Sequence, residues 1–215
     1  MTVHHHLDDA SIMRYASGDF DEAFAIIVAS HIAMCDECRA AVRAAEAMGG
    51  AVMEAADSSP LAADAFDRLS RMLDMEPEKP LLTPEPTAGN VPLPLSRLIG
   101  RDLDQVPWRT IVPGMQRHRI DIASSTSSLY MLKIAPGRKM PEHGHGGTEM
   151  TLILEGSYSD VFGQFAAGDI ADLDEHVEHQ PVVDSDIDCI CLVATERPTR
   201  FKGMVSRILQ PLIGI

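Results

Sequence analysis

Six of the chain's fourteen prolines crowd into one stretch, EPEKPLLTPEPTAGNVPLPL, between Glu76 and Leu95. A proline has no backbone N–H to donate, and it biases the residue before it toward extended conformations. So dense a run does not suit a helix interior or a central strand, and residues 76–95 are expected to form a semi-rigid tether. The 215 residues are thereby split into two units of different texture. Neither side shows an internal repeat.

Residues 1–75 are rich in Ala and Met and lack strand-like alternation, so they read as helical. Asp8 or Asp9 can cap a short helix through Tyr15, ended by Gly18. Asp19 or Asp21 can cap a second, EAFAIIVASHI, in which Phe24, Ile27, Val28 and Ile32 recur at helical spacing. A third is expected from about Asp36 to Met48 or beyond, passing or breaking at Gly49–Gly50. Ser59–Pro60 is a start signal for a fourth, with Phe66, Leu69, Met72 and Leu73 as its apolar stripe. After the tether, SLYMLKIAPG, MTLILEGSYSDVFGQFAAGDIADL and DCICLVAT are short β-rich runs punctuated by Gly, Pro and Asp. They point to an antiparallel sandwich or barrel over residues 96–215. The fold class is multidomain α plus β, a small N-terminal helical domain followed by an all-β barrel.

Charge narrows the partners. The chain carries 32 Asp and Glu against 18 Lys and Arg, a formal net of −14. Such a molecule is repelled by nucleic acid and by anionic lipid, so direct contact with either is not expected, and a basic protein partner fits better. No apolar run approaches the roughly 20 residues that span a bilayer. The start, MTVHHHLDD, lacks the apolar core of a secretory signal. Four cysteines, spaced Cys-x2-Cys and Cys-x-Cys, do not make a disulfide framework. The expectation is a reduced, cytoplasmic protein.

The segment HIAMCDECR, residues 31–39, holds three soft ligands, His31, Cys35 and Cys38. If His31 closes the second helix, Cys35 lies one turn along and Cys38 in the first turn of the next helix. Thiolates and imidazole at this spacing suit tetrahedral Zn²⁺, which needs a fourth ligand. His4, His5 and His6 are the nearby candidates, and His6, nearest the first helix and so the least mobile, is the expected ligand. Buried thiols with a histidine C-cap, or a Cys-x2-Cys redox pair, are the alternatives. The pattern resembles the zinc-binding anti-sigma family over the first third of the chain. That resemblance implies helices that wrap an extracytoplasmic-function sigma factor and block its contacts with RNA polymerase and promoter DNA.

A longer pattern lies in the β region. GRKMPEHGHGGTEMTLILEG reads Gly137-x5-His143-x-His145-x3-Glu149-x6-Gly156. On a strand, residues i and i+2 share a face, so His143 and His145 can reach one ion, while Glu149 opens the next strand. Downstream, Gly168-x5-Asp174-x-His176-x2-His179 offers a fourth ligand at His179, with His176 as a weaker substitute. This resembles the two-part motif of cupins, small β-barrels with a three-His, one-Glu metal site. The second half departs from it, with Asp174 and His176 where cupins place Pro and Gly. The donor set would take Zn²⁺ or another divalent transition metal. Cys189 and Cys191 share one strand face and either line that cavity or sit as inert core thiols. Trp108 reads as a core anchor or lid, and His118 as exposed.

Together the two halves resemble the ChrR-type anti-sigma factors of proteobacteria over nearly the whole chain. The resemblance implies a 1:1 complex with an extracytoplasmic-function sigma factor, held by the zinc domain. It also implies a cupin domain needed for release in response to singlet oxygen or related oxidants. Residues 1–75 carry 13 acidic and 5 basic residues, a field complementary to the basic surface of a sigma factor. Met13, Met34, Met48 and Met53 offer an adaptable contact surface. Zinc is expected to replace a core too small to order these helices. A metal-dependent cupin dioxygenase or isomerase is the alternative, and a DNA-binding zinc regulator is opposed by the charge.

Overall fold

The computed structural model describes residues 2–75, 90–100 and 102–201. Helix α1 (Asp9–Ala16) is capped by Asp8, whose carboxylate accepts from the Ser11 N–H at 2.6 Å. Helix α2 (Glu22–Met34) is capped by Asp21. Helix α3 (Asp36–Ala55) runs straight through Gly49–Gly50. A single residue turns the corner between them. Cys35 ends α2 by donating its N–H to the His31 carbonyl, and it caps α3 by accepting the Cys38 N–H on its sulfur at 3.4 Å. Helix α4 (Ala65–Leu73) begins five residues beyond Pro60, so the Ser59–Pro60 start signal is not used.

The expected tether needs correction at its C-terminal end. Residues 76–89 lie outside the described residues, but Val91 and Leu95 are buried and helix α5 (Leu93–Ile99) follows Pro92. Pro94 sits in its first turn, where the missing N–H has no helical partner to lose. The prolines that read as a spacer are, at Pro92 and Pro94, a helix start.

The β region comprises β1 (Arg109–Val112), β2 (Met115–Ile120), β3 (Ser128–Ile134), β4 (His143–Gly144), β5 (Glu149–Glu155) and β6 (Ser157–Asp160). It continues with β7 (Gly163–Ala166), β8 (Ile170–Leu173), β9 (Glu178–His179), β10 (Val182–Val183), β11 (Cys189–Thr195) and β12 (Arg200–Phe201). All pair antiparallel. One six-stranded sheet has the order β1-β2-β3-β11-β5-β8, and two three-stranded sheets have the orders β10-β6-β7 and β12-β4-β9. Gly156, between β5 and β6, has φ +73°, and a Cβ there would meet the Asp188 carbonyl oxygen at 2.6 Å. Only glycine fits that turn.

Every residue of β11 is buried, which is why CICLVAT reads as a continuous apolar run. Its Cys189, Cys191 and Val193 join Leu132, Ile153 and Tyr158 in a core inside the β unit. Its Ile190, Leu192 and Ala194 face the other way, into a second core that includes Phe24, Ile27 and Val28 of α2. The helices are therefore not a free domain with a minimal core of its own, as the sequence suggested. Helix α2 is apolar nearly all round because it is covered on two sides, by α3 and α5 and by strands β3, β5 and β11. Burying each of Phe24, Ile27 and Val28 stabilises the assembly by about 1.5–3 kcal/mol. Asp21 adds a polar tie. Besides capping α2, its carboxylate accepts from the Thr126 N–H at 2.9 Å and the Thr126 hydroxyl at 3.1 Å. No helix among the described residues is long and apolar enough to cross a membrane.

Candidate metal centres

The one-residue corner at Cys35 brings the end of α2 against the start of α3, so His31, Cys35 and Cys38 converge. The N-terminal segment crosses this corner and adds His6. Ligand atoms of the four residues all lie within 4.8 Å of one another. His6 Nδ1 is 3.3 Å from the Cys35 sulfur and 3.6 Å from the Cys38 sulfur. Metal–N bonds of about 2.0–2.1 Å and metal–S bonds of about 2.3 Å in a tetrahedron place ligand atoms about 3.3–3.8 Å apart, so this set fits zinc.

Two further observations fit. His31 is fully buried, and its Nδ1–H donates to the Gly168 carbonyl at 3.0 Å while its Nε2 has no hydrogen-bond partner. A buried nitrogen left so is costly unless something accepts its lone pair. Burial first, and the neighbouring Cys35 next, push the Cys38 thiol up to about 11, so two thiolates here call for a cation beside them. His6 Nε2 faces the Glu37 carboxylate at 3.4 Å, which leaves Nδ1 for the ion. His4 and His5 lie outside this cluster. Both give their backbone N–H groups to Asp169, and the His5 ring stacks on Phe165 with centroids 3.9 Å apart.

The second set, His143, His145, Glu149 and His179, is wholly buried, again with ligand atoms within 4.8 Å. His143 on β4 pairs directly with His179 on β9, and their Nε2 atoms are 3.1 Å apart. The outward nitrogens are anchored. His143 Nδ1–H donates to the Pro141 carbonyl at 2.8 Å, and His179 Nδ1–H to the Asp160 carboxylate at 2.8 Å. His145 Nδ1 lies 3.3 Å from Glu149 Oε2, and neither of its ring nitrogens is hydrogen-bonded. Burial holds the His143 imidazole down to about 4 and therefore neutral, the form that ligates. Three inward imidazoles and a carboxylate fit a divalent transition metal. An ion bound there would supply Lewis acidity and open coordination positions.

Beside these ligands is a small cavity of about 50 Å³, lined among others by Tyr130, Tyr158, Cys189 and Cys191. That is room for a few waters or a diatomic molecule. The two cysteines thus face the cavity and are still not ligands. Burial pushes Cys189 up to about 12 and Cys191 well above an ordinary thiol. His176 is exposed and outside the cluster. Trp108 packs against the helix-side core, and His118 is half-buried rather than exposed. Sequence reasoning missed Glu37, Asp160 and Asp169. Asp160 lies nineteen residues from the histidine it holds, and nothing in their spacing joins them.

The ChrR cupin-like domain family matches residues 96–198. Over its whole length the chain is 38% identical to the anti-sigma-E factor ChrR of Cereibacter sphaeroides, with 100% of each chain covered. A crystal structure of Rhodobacter sphaeroides SigE in complex with the anti-sigma ChrR superposes with a TM-score of 0.79 at 36% identity, over 90% of this chain and 99% of that one. Both relatives are anti-sigma factors, so the likeness supports a regulator over the dioxygenase and isomerase alternative. A helical layer with one candidate metal centre, set on a cupin-like β unit with another, is thus part of a likeness that runs end to end, and the chain belongs to the ChrR family of anti-sigma factors.

Proposed function

We propose that this chain binds and inhibits an extracytoplasmic-function sigma factor in a 1:1 complex in the cytoplasm, and that its cupin-like unit releases the sigma factor on singlet oxygen or related oxidative stress. Residues 1–75 are the inhibiting unit, residues 96–215 the sensing unit, and residues 76–95 join them. The observation that carries the reading is α4. Its Phe66, Leu69, Met72 and Leu73 lie on one face and all are exposed, 54–78% of each, and no residue of the helix is buried. A nine-residue helix is marginal alone in water, so such a face calls for a partner. Met48, Val52 and Met53 at the end of α3 are exposed as well. Around it the helical unit is acidic, complementary to a surface built to hold DNA.

Zinc at His6, His31, Cys35 and Cys38 would fix the corner from which α3 projects. The buried set His143, His145, Glu149 and His179 would hold Zn²⁺ or another divalent transition metal, beside a cavity sized for small oxidants. The test is transcription from a sigma-dependent reporter. Alanine at any of the four cupin-unit ligands should leave inhibition intact and blunt induction by singlet oxygen or organic hydroperoxide. Normal induction by all four variants would remove the sensing role.

A further inference from the structure

The N-terminal metal centre is held from outside by one turn of the β unit. Residues 167–169 connect β7 to β8, and Gly168 in this turn has φ +94°, a conformation glycine adopts without strain. Its carbonyl accepts the Nδ1–H of His31 and so fixes which nitrogen of that ring faces the other three ligands. The next residue, Asp169, is 1% exposed. Its carboxylate accepts from the N–H groups of His4 at 2.6 Å and His5 at 3.0 Å, and from Ala166 at 2.9 Å. Ile170 then donates its N–H to the His5 carbonyl at 3.3 Å. Two of the four ligands, His31 directly and His6 through the segment that carries it, take their positions from this turn.

The strand before this turn, β7, pairs with β6, and β6 reaches the other centre. Asp160 at the end of β6 holds His179, and Tyr158 on β6 lines the cavity. Tyr158 stacks on Phe165 of β7 with centroids 5.0 Å apart, and Phe165 stacks on His5. Between the two ligand sets there is continuous packed and hydrogen-bonded contact.

We propose that the Gly168–Asp169 turn of the cupin-like unit is a positioning element of the N-terminal metal centre, and that through it the state of the β unit sets how tightly that centre holds its ion. Asp169 is the positioning residue. The inference rests on the reading of His6, His31, Cys35 and Cys38 as metal ligands.

The experiment uses the full chain loaded with Co²⁺. Only the N-terminal set contains sulfur, so a thiolate-to-cobalt charge-transfer band reports that centre alone, and its loss to a chelator gives an affinity. Asp169→Ala should weaken the thiolate centre by about 10–100-fold, the size usual when a partner that orients a ligand is removed. Asp169→Asn, which keeps one acceptor oxygen, should recover part of the loss. His5→Ala, which removes the stack and leaves the Asp169 contacts to the backbone, should weaken it by less. Cobalt bound at the sulfur-free centre should be unchanged in all three, which a general loss of folding would not allow. Wild-type affinity at the thiolate centre in Asp169→Ala overturns the inference, as does equal weakening of both centres. No charge-transfer band in the wild type overturns the ligand assignment and the inference with it.

Discussion

Asp160 and His179 meet 2.8 Å apart inside the β unit, their side chains 1% and 4% exposed. A carboxylate so placed fixes the imidazole so that its Nδ1–H points away from the cluster and its Nε2 toward His143. Asp160→Ala should therefore weaken metal binding at the cupin-unit centre by about 10–100-fold, and Asp160→Asn by less. Chelator competition on the full chain measures this, and unchanged affinity would show that Asp160 plays no part in orienting the ligand.

Two four-residue clusters that could each hold an ion predict two metal ions per chain. The paired substitution Cys35→Ser, Cys38→Ser should remove one ion and leave the other, and it should lower the thermal midpoint, because site formation and folding of the corner are coupled. Elemental analysis of wild type and variant gives the stoichiometry. One ion in both proteins would contradict the assignment of the helical centre.

Much of this was legible in the residues. Asp8, Asp21 and the 3.6-residue pattern of α2 mark real helix boundaries, because capping and amphipathicity are local. The members of both side-chain clusters are visible in the sequence because histidine and cysteine at metal spacings have few other reasons to recur. What was hidden is long-range. That His6 rather than His4 or His5 joins the cluster depends on Asp169, over 160 residues away. That α2 docks on the β sheet follows from its being apolar on more than one face, although Phe24, Ile27, Val28 and Ile32 alone read as a single stripe. Pro92 and Pro94 read with the prolines before them, because proline near a helix start and proline in a tether look the same in composition.

The shared core predicts that helices and β unit unfold together. Ile27 is fully buried between them, so Ile27→Ala should cost about 2–5 kcal/mol. Calorimetry of this variant should show a single transition shifted downward. A split into two transitions, with the higher one unmoved, would mean that the docking of α2 adds little.

The buried histidines predict acid sensitivity in the metal-free protein. Burial holds His31 and His143 down to about 4, against 6.5 for a free imidazole. Between those values the unfolded chain binds protons that the folded one refuses, so stability rises with pH there. It should be fully present above about 6.5 and be lost as pH falls toward 4. Urea midpoints at pH 7, 6 and 5 should decline in that order. A flat series would mean that these rings protonate within the fold.

The central claim is that the bare apolar face of α4 is where a sigma factor sits. Calorimetric titration of the full chain with the purified extracytoplasmic-function sigma factors of its host tests it most directly, with Phe66→Asp and Leu69→Asp variants alongside. The account predicts 1:1 binding to one of them by the wild type and at least a tenfold loss in each variant, about 1.4 kcal/mol or more. Binding of none of them, or wild-type affinity in both variants, would contradict it.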